Sequence, residues 1–345
     1  MEDTIRKIIS EKSNSRWWNE LEGNVIGKYG RIFDPANLDN LSKNDFKSFL
    51  LMKNNFHWEG IHRQGNMITA DMAKLKSVLK ILLDESKPLK DRLNKIFGAN
   101  DKCVIRGLGK AVLTPILLVA YPNKYGVWNR RSEDALRQFN LFPRFSPRDG
   151  FAEKYIKINN VLTELTGKYG ISLWQLDGIL GDISGNSPES VGIEEGDGIE
   201  KELEGRGITD PINFGLESHL EDFLIDNWDK TIFGKEYDLI YDEGDLVSQQ
   251  YQTGVGPIDI LAFSKNKNDY LVIELKKGKP SDQVVGQILR YMAWIRKNLA
   301  KEKRVSGCVV VFETDDKLKY SLMGQQNISL YNYKVDFHLT REEIE

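Results

Sequence analysis

Two stretches decide how this chain reads: Gly256-Pro-Ile-Asp259-Ile-Leu-Ala-Phe263 and, beyond the polar turn from Ser264 to Asp269, Tyr270-Leu-Val-Ile-Glu274-Leu-Lys276. Both are apolar runs of strand length separated by turn residues, so the spacing predicts a hairpin. Side chains alternate across a strand, which puts Glu274 and Lys276 on one face and Ile273 and Leu275 on the other. A hairpin also brings Asp259, a lone carboxylate in an apolar run, beside Glu274. Two acids crowded together repel unless a cation holds them. With no His or Cys nearby, such an oxygen-only site favours Mg²⁺ or Mn²⁺ over zinc. An Asp and a Glu-x-Lys on strands are also what solvated surface charges look like. Three neighbours weigh against that bland reading: Gly256 just ahead of Asp259, Gln287 and Tyr291 at i,i+4 on one helix face, and the acid-bearing helix Leu220-Glu221-Asp222-Phe223-Leu224.

Around these strands the pattern is α/β. A helix is expected from Leu216 to Trp228, another from Ser281 to Asn298, and a further strand from Gly307 to Phe312. Residues 211–345 therefore form one domain. The stretch from Gly181 to Asp210 is rich in Gly, Ser and acids and poor in large apolar groups, so residues 182–210 are expected to be a flexible linker. Residues 1–181 show helical periodicity at Ala73–Glu85, Ala111–Ala120, Ser132–Phe139 and Tyr155–Tyr169, which predicts a mostly helical domain.

The net charge of −3 hides a strong asymmetry. Residues 1–181 carry 29 Lys and Arg against 20 Asp and Glu, a balance of +9, while residues 182–210 stand at −7 and residues 211–345 at −5. A basic front suits a nucleic-acid partner, and acids that hold metal count toward the negative rear. Cys103 and Cys308 sit apart in apolar stretches and read as buried thiols. No apolar run approaches the ~20 residues of a membrane helix, and Met1-Glu2-Asp3-Thr4 lacks the regions of a signal peptide, so a cytoplasmic protein without a membrane partner is expected. No phosphate loop of the Walker type occurs, which argues against ATP hydrolysis.

In the front domain, Val104-Ile-Arg106-Gly107-Leu-Gly109-Lys110 leads into an apolar helix, and Tyr121-Pro-Asn-Lys-Tyr-Gly-Val-Trp-Asn129-Arg130-Arg131 follows. A Gly-x-Gly turn feeding a helix start can present free N–H groups to a phosphate, with Arg106 and Lys110 adding charge. The same glycines could merely cap two packed helices. The stretch Phe56-His57-Trp58-Glu59-Gly60-Ile61-His62-Arg63-Gln64 mixes aromatic and cationic groups as flipped-base sites do, though a packed aromatic corner is the preferred reading.

Taken together, Leu220–Asn227, Gly256-x-x-Asp259-Ile-Leu, Val272-Ile-Glu-Leu-Lys-Lys-Gly278 and Val285-Gly-Gln-Ile-Leu-Arg-Tyr-Met-x-Trp294 resemble the C-terminal nuclease domain of the NucS/EndoMS endonucleases, a branch of the PD-(D/E)xK superfamily. The resemblance runs from Leu216 to about Leu339. It implies a restriction-endonuclease-like α/β domain that cleaves DNA to 5′-phosphate and 3′-hydroxyl ends. By that resemblance Asp259, Glu274, Leu275 and Glu221 hold the metal, Lys276 positions or activates the attacking water, Gln287 orients the site and Tyr291 lies toward the DNA. Glu217 competes with Glu221 for the accessory role, because Glu236–Val247 is longer and more acidic than the family pattern. The family usually has a β-rich front domain, so mismatch specificity does not carry over to this helical one. Residues 100–140 resemble the helix-hairpin-helix region of base-excision DNA glycosylases, with Asn129 where their catalytic aspartate stands. An amide cannot serve as that base, so the resemblance implies DNA contact through Arg106, Gly107, Gly109, Lys110, Asn129, Arg130 and Arg131 without base excision. The expectation is a metal-dependent DNA endonuclease of defence or repair, with a homodimer as the arrangement that would cut both strands. The rivals are a DNA-binding protein with an inactive nuclease fold and an active glycosylase or lyase in front.

Overall fold

The structure, a computed structural model, describes residues 16–98, 103–184, 220–276 and 283–334, with Arg6 and Ile8. It divides into two compact units, and the division is not colinear with the chain. Residues 16–184 together with Asp242–Leu246 form the first unit, and residues 220–241 with residues 247–334 form the second.

The first unit is helical. Its main helices are α1 (Arg16–Ile32), α2 (Lys43–Leu50), α3 (Met72–Leu82), α4 (Leu89–Ile96), α5 (Lys110–Ala120), α6 (Arg130–Gln138), α7 (Phe151–Tyr169) and α8 (Leu173–Ile183). Local sequence explains their ends. Ser42 and Ser172 close capping boxes with Asp45 and Gln175, Asp71 caps α3, and Gly170 takes the left-handed conformation that stops α7. Helix α5 is apolar over most of its circumference, so nearly all of it is buried, and α1 packs against it. Trp58, Trp128 and Trp174 are among the largest fully or nearly fully buried side chains of this core. Arg92 lies inside too, its guanidinium donating to the Leu82 carbonyl (2.6 Å) and the Tyr125 hydroxyl (2.6 Å) and pairing with Glu85 (2.7 Å). The sequence-derived linker is shortened at its start, because the periodicity of α8 carries helix through Ile183. The rest of that segment, with Glu217, lies outside the described residues.

The second unit is built on a mixed six-stranded sheet. Its strands are β1 (Tyr237–Leu239), β4 (Gln249–Tyr251), β5 (Ile258–Ser264), β6 (Asp269–Lys276), β7 (Arg304–Val311) and β8 (Ile328–Asn332). The order is β1-β5-β6-β7-β8, with β4 also against β5. Strands β5 and β6 form the expected antiparallel hairpin, whereas β6, β7 and β8 run parallel. A parallel pair needs a crossover, and helix α10 (Gln283–Ile295) supplies it between β6 and β7, burying Val284, Val285, Ile288, Met292 and Ile295. Residues 220–226 form a further helix, α9, and Asp316–Leu322 form α11. Among the described residues no helix is long and apolar enough to cross a membrane.

The remaining strands, β2 (Tyr241–Asp242) and β3 (Asp245–Leu246), make a two-stranded hairpin. Glu243 and Gly244 at its tip both have positive φ (47° and 84°), the backbone that a tight two-residue turn demands. This is the long acidic stretch between the first helix and the strands, and Asp242–Leu246 belongs to the first unit.

Candidate active site

The hairpin register places the chemistry. Ile260 pairs with Ile273, so Asp259 and Glu274 come next to each other across β5 and β6 on one face of the sheet. The Asp259 carboxylate accepts a hydrogen bond from the Leu275 N–H through Oδ2 (2.8 Å). Glu274 is fully buried, and Lys276, two residues on and therefore on the same face, donates from Nζ to Glu274 Oε1 (2.7 Å). Strand alternation thus aims acid, acid and lysine at one place. The lysine side chain remains about a quarter exposed (24%), which leaves the ammonium within reach of solvent.

Glu221 on α9 is also buried and joins this group through a residue that motif reading passed over. Gln250 on β4 donates from Nε2 to Glu221 Oε2 (2.6 Å) and to Asp259 Oδ1 (3.2 Å). Its neighbour Gln249 donates to Asp222 Oδ1 (2.8 Å), a second tie between β4 and α9. The only sequence signal for β4 was position: a three-residue polar strand shows no apolar alternation. Gln287 and Tyr291 face each other on α10, Gln287 Nε2 donating to the Tyr291 hydroxyl (3.2 Å). Tyr291 also explains Gly256, whose φ of 115° suits glycine and where a Cβ would stand 3.2 Å from the tyrosine oxygen.

The donors here are all hard oxygens: Asp259, Glu274, Glu221 and, from Leu275, only a main-chain carbonyl. Among the described residues no cluster of three or more His, Cys, Asp and Glu side chains is arranged as a ready cage. A Mg²⁺-type ion does not need one, since it binds through one or two carboxylates and completes its octahedron with water and phosphate oxygens. Asp259 and Glu274 fit such an ion.

In the first unit the front candidates sort differently. Gly107 (φ 83°) and Gly109 do lie in the turn between α4 and α5. The N-terminus of α5, however, is met by the Asp242–Asp245 hairpin. The Asp245 carboxylate accepts from Ala111 N–H through both oxygens (3.0 Å each), and the Glu243 carbonyl accepts from Lys110 N–H (3.2 Å). Lys110 is buried between Asp242 (2.6 Å) and Glu133 (2.7 Å). Burial alone would lower its pKa, but these two carboxylates hold it above the ordinary value. Burial pushes the Asp245 carboxyl up to about 8. The expected phosphate grip at Gly109 and Lys110 is thus corrected: the N–H groups of the helix start that would meet a phosphate are taken by the Asp245 carboxyl and the Glu243 carbonyl of the chain itself. Asn129 is the N-cap of α6, its side chain accepting from Ser132 N–H (2.9 Å), a role that needs an oxygen and no charge. Arg130 is 70% exposed beside Asp134, and Arg106 and Arg131 are partly exposed. His57 and Trp58 lie in a packed corner, His57 stacked on Trp174 (3.8 Å between centroids) and Trp58 donating to Asp177 (2.9 Å). Both cysteines are free thiols, and burial raises Cys103 to about 11.

The second unit is thus an α/β domain in which Asp259 and Glu274 stand side by side on one strand hairpin, with Lys276 two residues beyond. Residues 217–332 match the family model described as the Endonuclease NucS C-terminal domain, so this domain is NucS-like. A curated relative, "Endonuclease NucS" of Corynebacterium aurimucosum, is 30% identical over 84 residues, 24% of this chain and 32% of the relative. The chain therefore spans about a third of the curated relative that it matches. Two solved structures are similar over a comparable stretch. One is described as the crystal structure of a repair endonuclease from Pyrococcus abyssi (19% identity, TM-score 0.28, 34% of this chain and 47% of that one). The other, described as an EndoMS-dsDNA2 complex, has 16% identity and a TM-score of 0.29 and covers 35% of this chain and 46% of that one.

Proposed function

We propose that this protein is a metal-dependent endonuclease that hydrolyses DNA phosphodiester bonds in its NucS-like domain. The observation that carries the reading is the convergence of Asp259, Glu274 and Lys276 on one face of the β5–β6 hairpin, with Lys276 Nζ 2.7 Å from Glu274. Hydrolysis needs an in-line water, relief of the charge gathering on the non-bridging oxygens and help for the departing 3′ oxygen. Asp259 and Glu274 would hold Mg²⁺ or Mn²⁺ with the Leu275 carbonyl, and the ion would supply Lewis acidity at the phosphate. Lys276 keeps an ammonium beside the carboxylates, where it can orient a water by hydrogen bonding and meet negative charge on the phosphate. The Asp259–Leu275 hydrogen bond fixes the carboxylate's rotamer before substrate arrives, which is the preorganisation that such a site requires. Gln287 and Tyr291 are the candidates for orienting the DNA strand, and Arg106, Arg130 and Arg131 for holding duplex phosphates on the first unit. Cutting both strands would take two copies of the domain. Defence against foreign DNA and DNA repair both suit such an enzyme in the cytoplasm, and substrate preference separates them.

The test is incubation of the full chain with plain, mismatched and base-modified DNA in Mg²⁺, Mn²⁺ or EDTA, with the ends mapped. Metal-dependent nicks bearing 5′-phosphate, lost in Asp259→Ala and Glu274→Ala, are expected. Cleavage retained by either variant would remove the assignment, and base release that survives EDTA would favour a glycosylase instead.

A further inference from the structure

Gln250 stands in a row that the sheet register builds. Gln249 pairs with Ile260 and Tyr251 with Ile258, so Gln250 lies directly across from Asp259 on β5, which in turn lies across from Glu274 on β6. Residues across adjacent strands share a face, so amide, carboxylate and carboxylate form one line over β4, β5 and β6. Gln250 holds this place at a positive φ of 48°, a conformation uncommon outside glycine and costly enough that the surroundings must enforce it. It is buried, and its Nε2 reaches Glu221 (2.6 Å) and Asp259 (3.2 Å) at once.

An amide nitrogen carries two N–H groups, so one hydrogen can serve each carboxylate. Two carboxylate oxygens converging on one point from opposite elements are also what a second divalent ion would need, at about 2.0–2.1 Å for Mg²⁺. The amide fills that point. It is neutral, so it holds the acids together by hydrogen bonding without adding the charge that would draw a cation closer.

Resting on the nuclease reading above, we propose that Gln250 is a positioning residue that takes the place of a second metal ion between Glu221 and Asp259, so that the site binds one divalent cation, on the Asp259–Glu274 side. Glu221 then serves the site by steadying Asp259 through Gln250. Replacing the amide with a carboxylate removes both donors and adds a ligand, so Gln250→Glu turns the same point into a second ion site. Gln250→Ala opens it without adding a ligand.

The experiment is a Mn²⁺ titration of the full chain, read by electron paramagnetic resonance and by calorimetry, with thermal melting to confirm folding. The wild type should bind one Mn²⁺ per chain. Gln250→Glu should bind a second, Gln250→Ala a weaker second, and adding Glu221→Gln to Gln250→Glu should abolish the second ion while leaving the first. A wild type that binds none or two, or two folded Gln250 variants with wild-type stoichiometry, would overturn the proposal. If Gln250→Glu fails to fold, Gln250→Ala gives the same readout. A DNA-nicking assay run alongside separates the two readings. One bound ion with the predicted gains but no cleavage would sink the nuclease reading and leave the role of Gln250, whereas cleavage by a wild type holding two ions would do the reverse.

Discussion

Gly109→Ala is the sharpest single perturbation of the first unit. A Cβ at residue 109 would stand 2.1 Å from the Asp245 backbone nitrogen, 2.3 Å from Asp245 Oδ1 and 2.3 Å from the Gly244 carbonyl carbon. Two of these three atoms are backbone, so no rotamer change relieves the overlap, and the Asp242–Leu246 hairpin must back away by more than 1 Å to reach ordinary contact. That movement breaks the Asp245–Ala111 hydrogen bonds (3.0 Å) and strains the Lys110–Asp242 pair (2.6 Å). Overpacking costs about 1–3 kcal/mol, and a hydrogen bond to the largely protonated Asp245 carboxyl about 0.5–1.5 kcal/mol, so a loss of about 3 kcal/mol is expected. For a unit of this size that lowers the melting temperature by roughly 6–12 °C. Differential scanning calorimetry of the full chain reads the shift. Because the two substitutions act on one contact, Asp245→Ala added to Gly109→Ala should cost much less than the sum of the separate effects. A melting temperature within about 2 °C of wild type for Gly109→Ala, roughly the smallest shift that about 1 kcal/mol produces, would show that the hairpin is not seated on α5.

Other outcomes follow from single side chains. With its folded pKa raised to about 8 against an ordinary 3.8, Asp245 keeps its proton longer in the native state than in the unfolded one. Stability should therefore fall as pH rises between about 4 and 8, by on the order of 1 kcal/mol per pH unit from this group, and level off above; urea midpoints across that range should lose the slope in Asp245→Asn, and an unchanged slope would count against it. Asn129→Ala should cost about 1 kcal/mol as a lost helix cap, whereas Asn129→Asp should stay within a few tenths, so a large loss in Asn129→Asp on chemical denaturation would mean that the amide does something other than cap α6. Lys276→Ala should lower the single-turnover nicking rate by about 10²-fold or more while leaving Mn²⁺ stoichiometry at the wild-type value, and a rate near wild type would remove Lys276 from the mechanism.

What the sequence revealed follows from what carries local signal. The β5–β6 hairpin was visible because alternation and the turn at Ser264–Asp269 act within a few residues, and the strands appear at Ile258–Ser264 and Asp269–Lys276, within a residue or two of expectation. Their alternation also fixed the shared face of Glu274 and Lys276. Helices α3, α5, α6 and α7 were legible for the same reason. Strands β1, β4 and β8 were not, since each is three to five residues long and is defined by its sheet partner more than by its own pattern. Gln250 was lost with β4, because its role depends on register with β5 and on contact with α9. The misreading of Lys110 has the same origin. A basic residue at a helix start looks free until a carboxylate 132 positions further along the chain proves to be its partner.

The hairpin also governs how this molecule can be taken apart. The chain leaves the sheet domain after Tyr241, contributes Asp242–Leu246 to the helical unit, and returns at Val247, three residues before Gln250. A fragment that stops after α8 therefore omits a native piece of its own domain. Such a fragment would expose the start of α5, lose the three acids Asp242, Glu243 and Asp245, and leave Lys110 with Glu133 as its partner. Its affinity for DNA would overstate that of the whole chain, because three acidic side chains that the intact helical unit carries are missing from it. Domain boundaries drawn along the sequence would thus create a binder by amputation, and a faithful dissection would have to graft the acidic loop back onto the helical half.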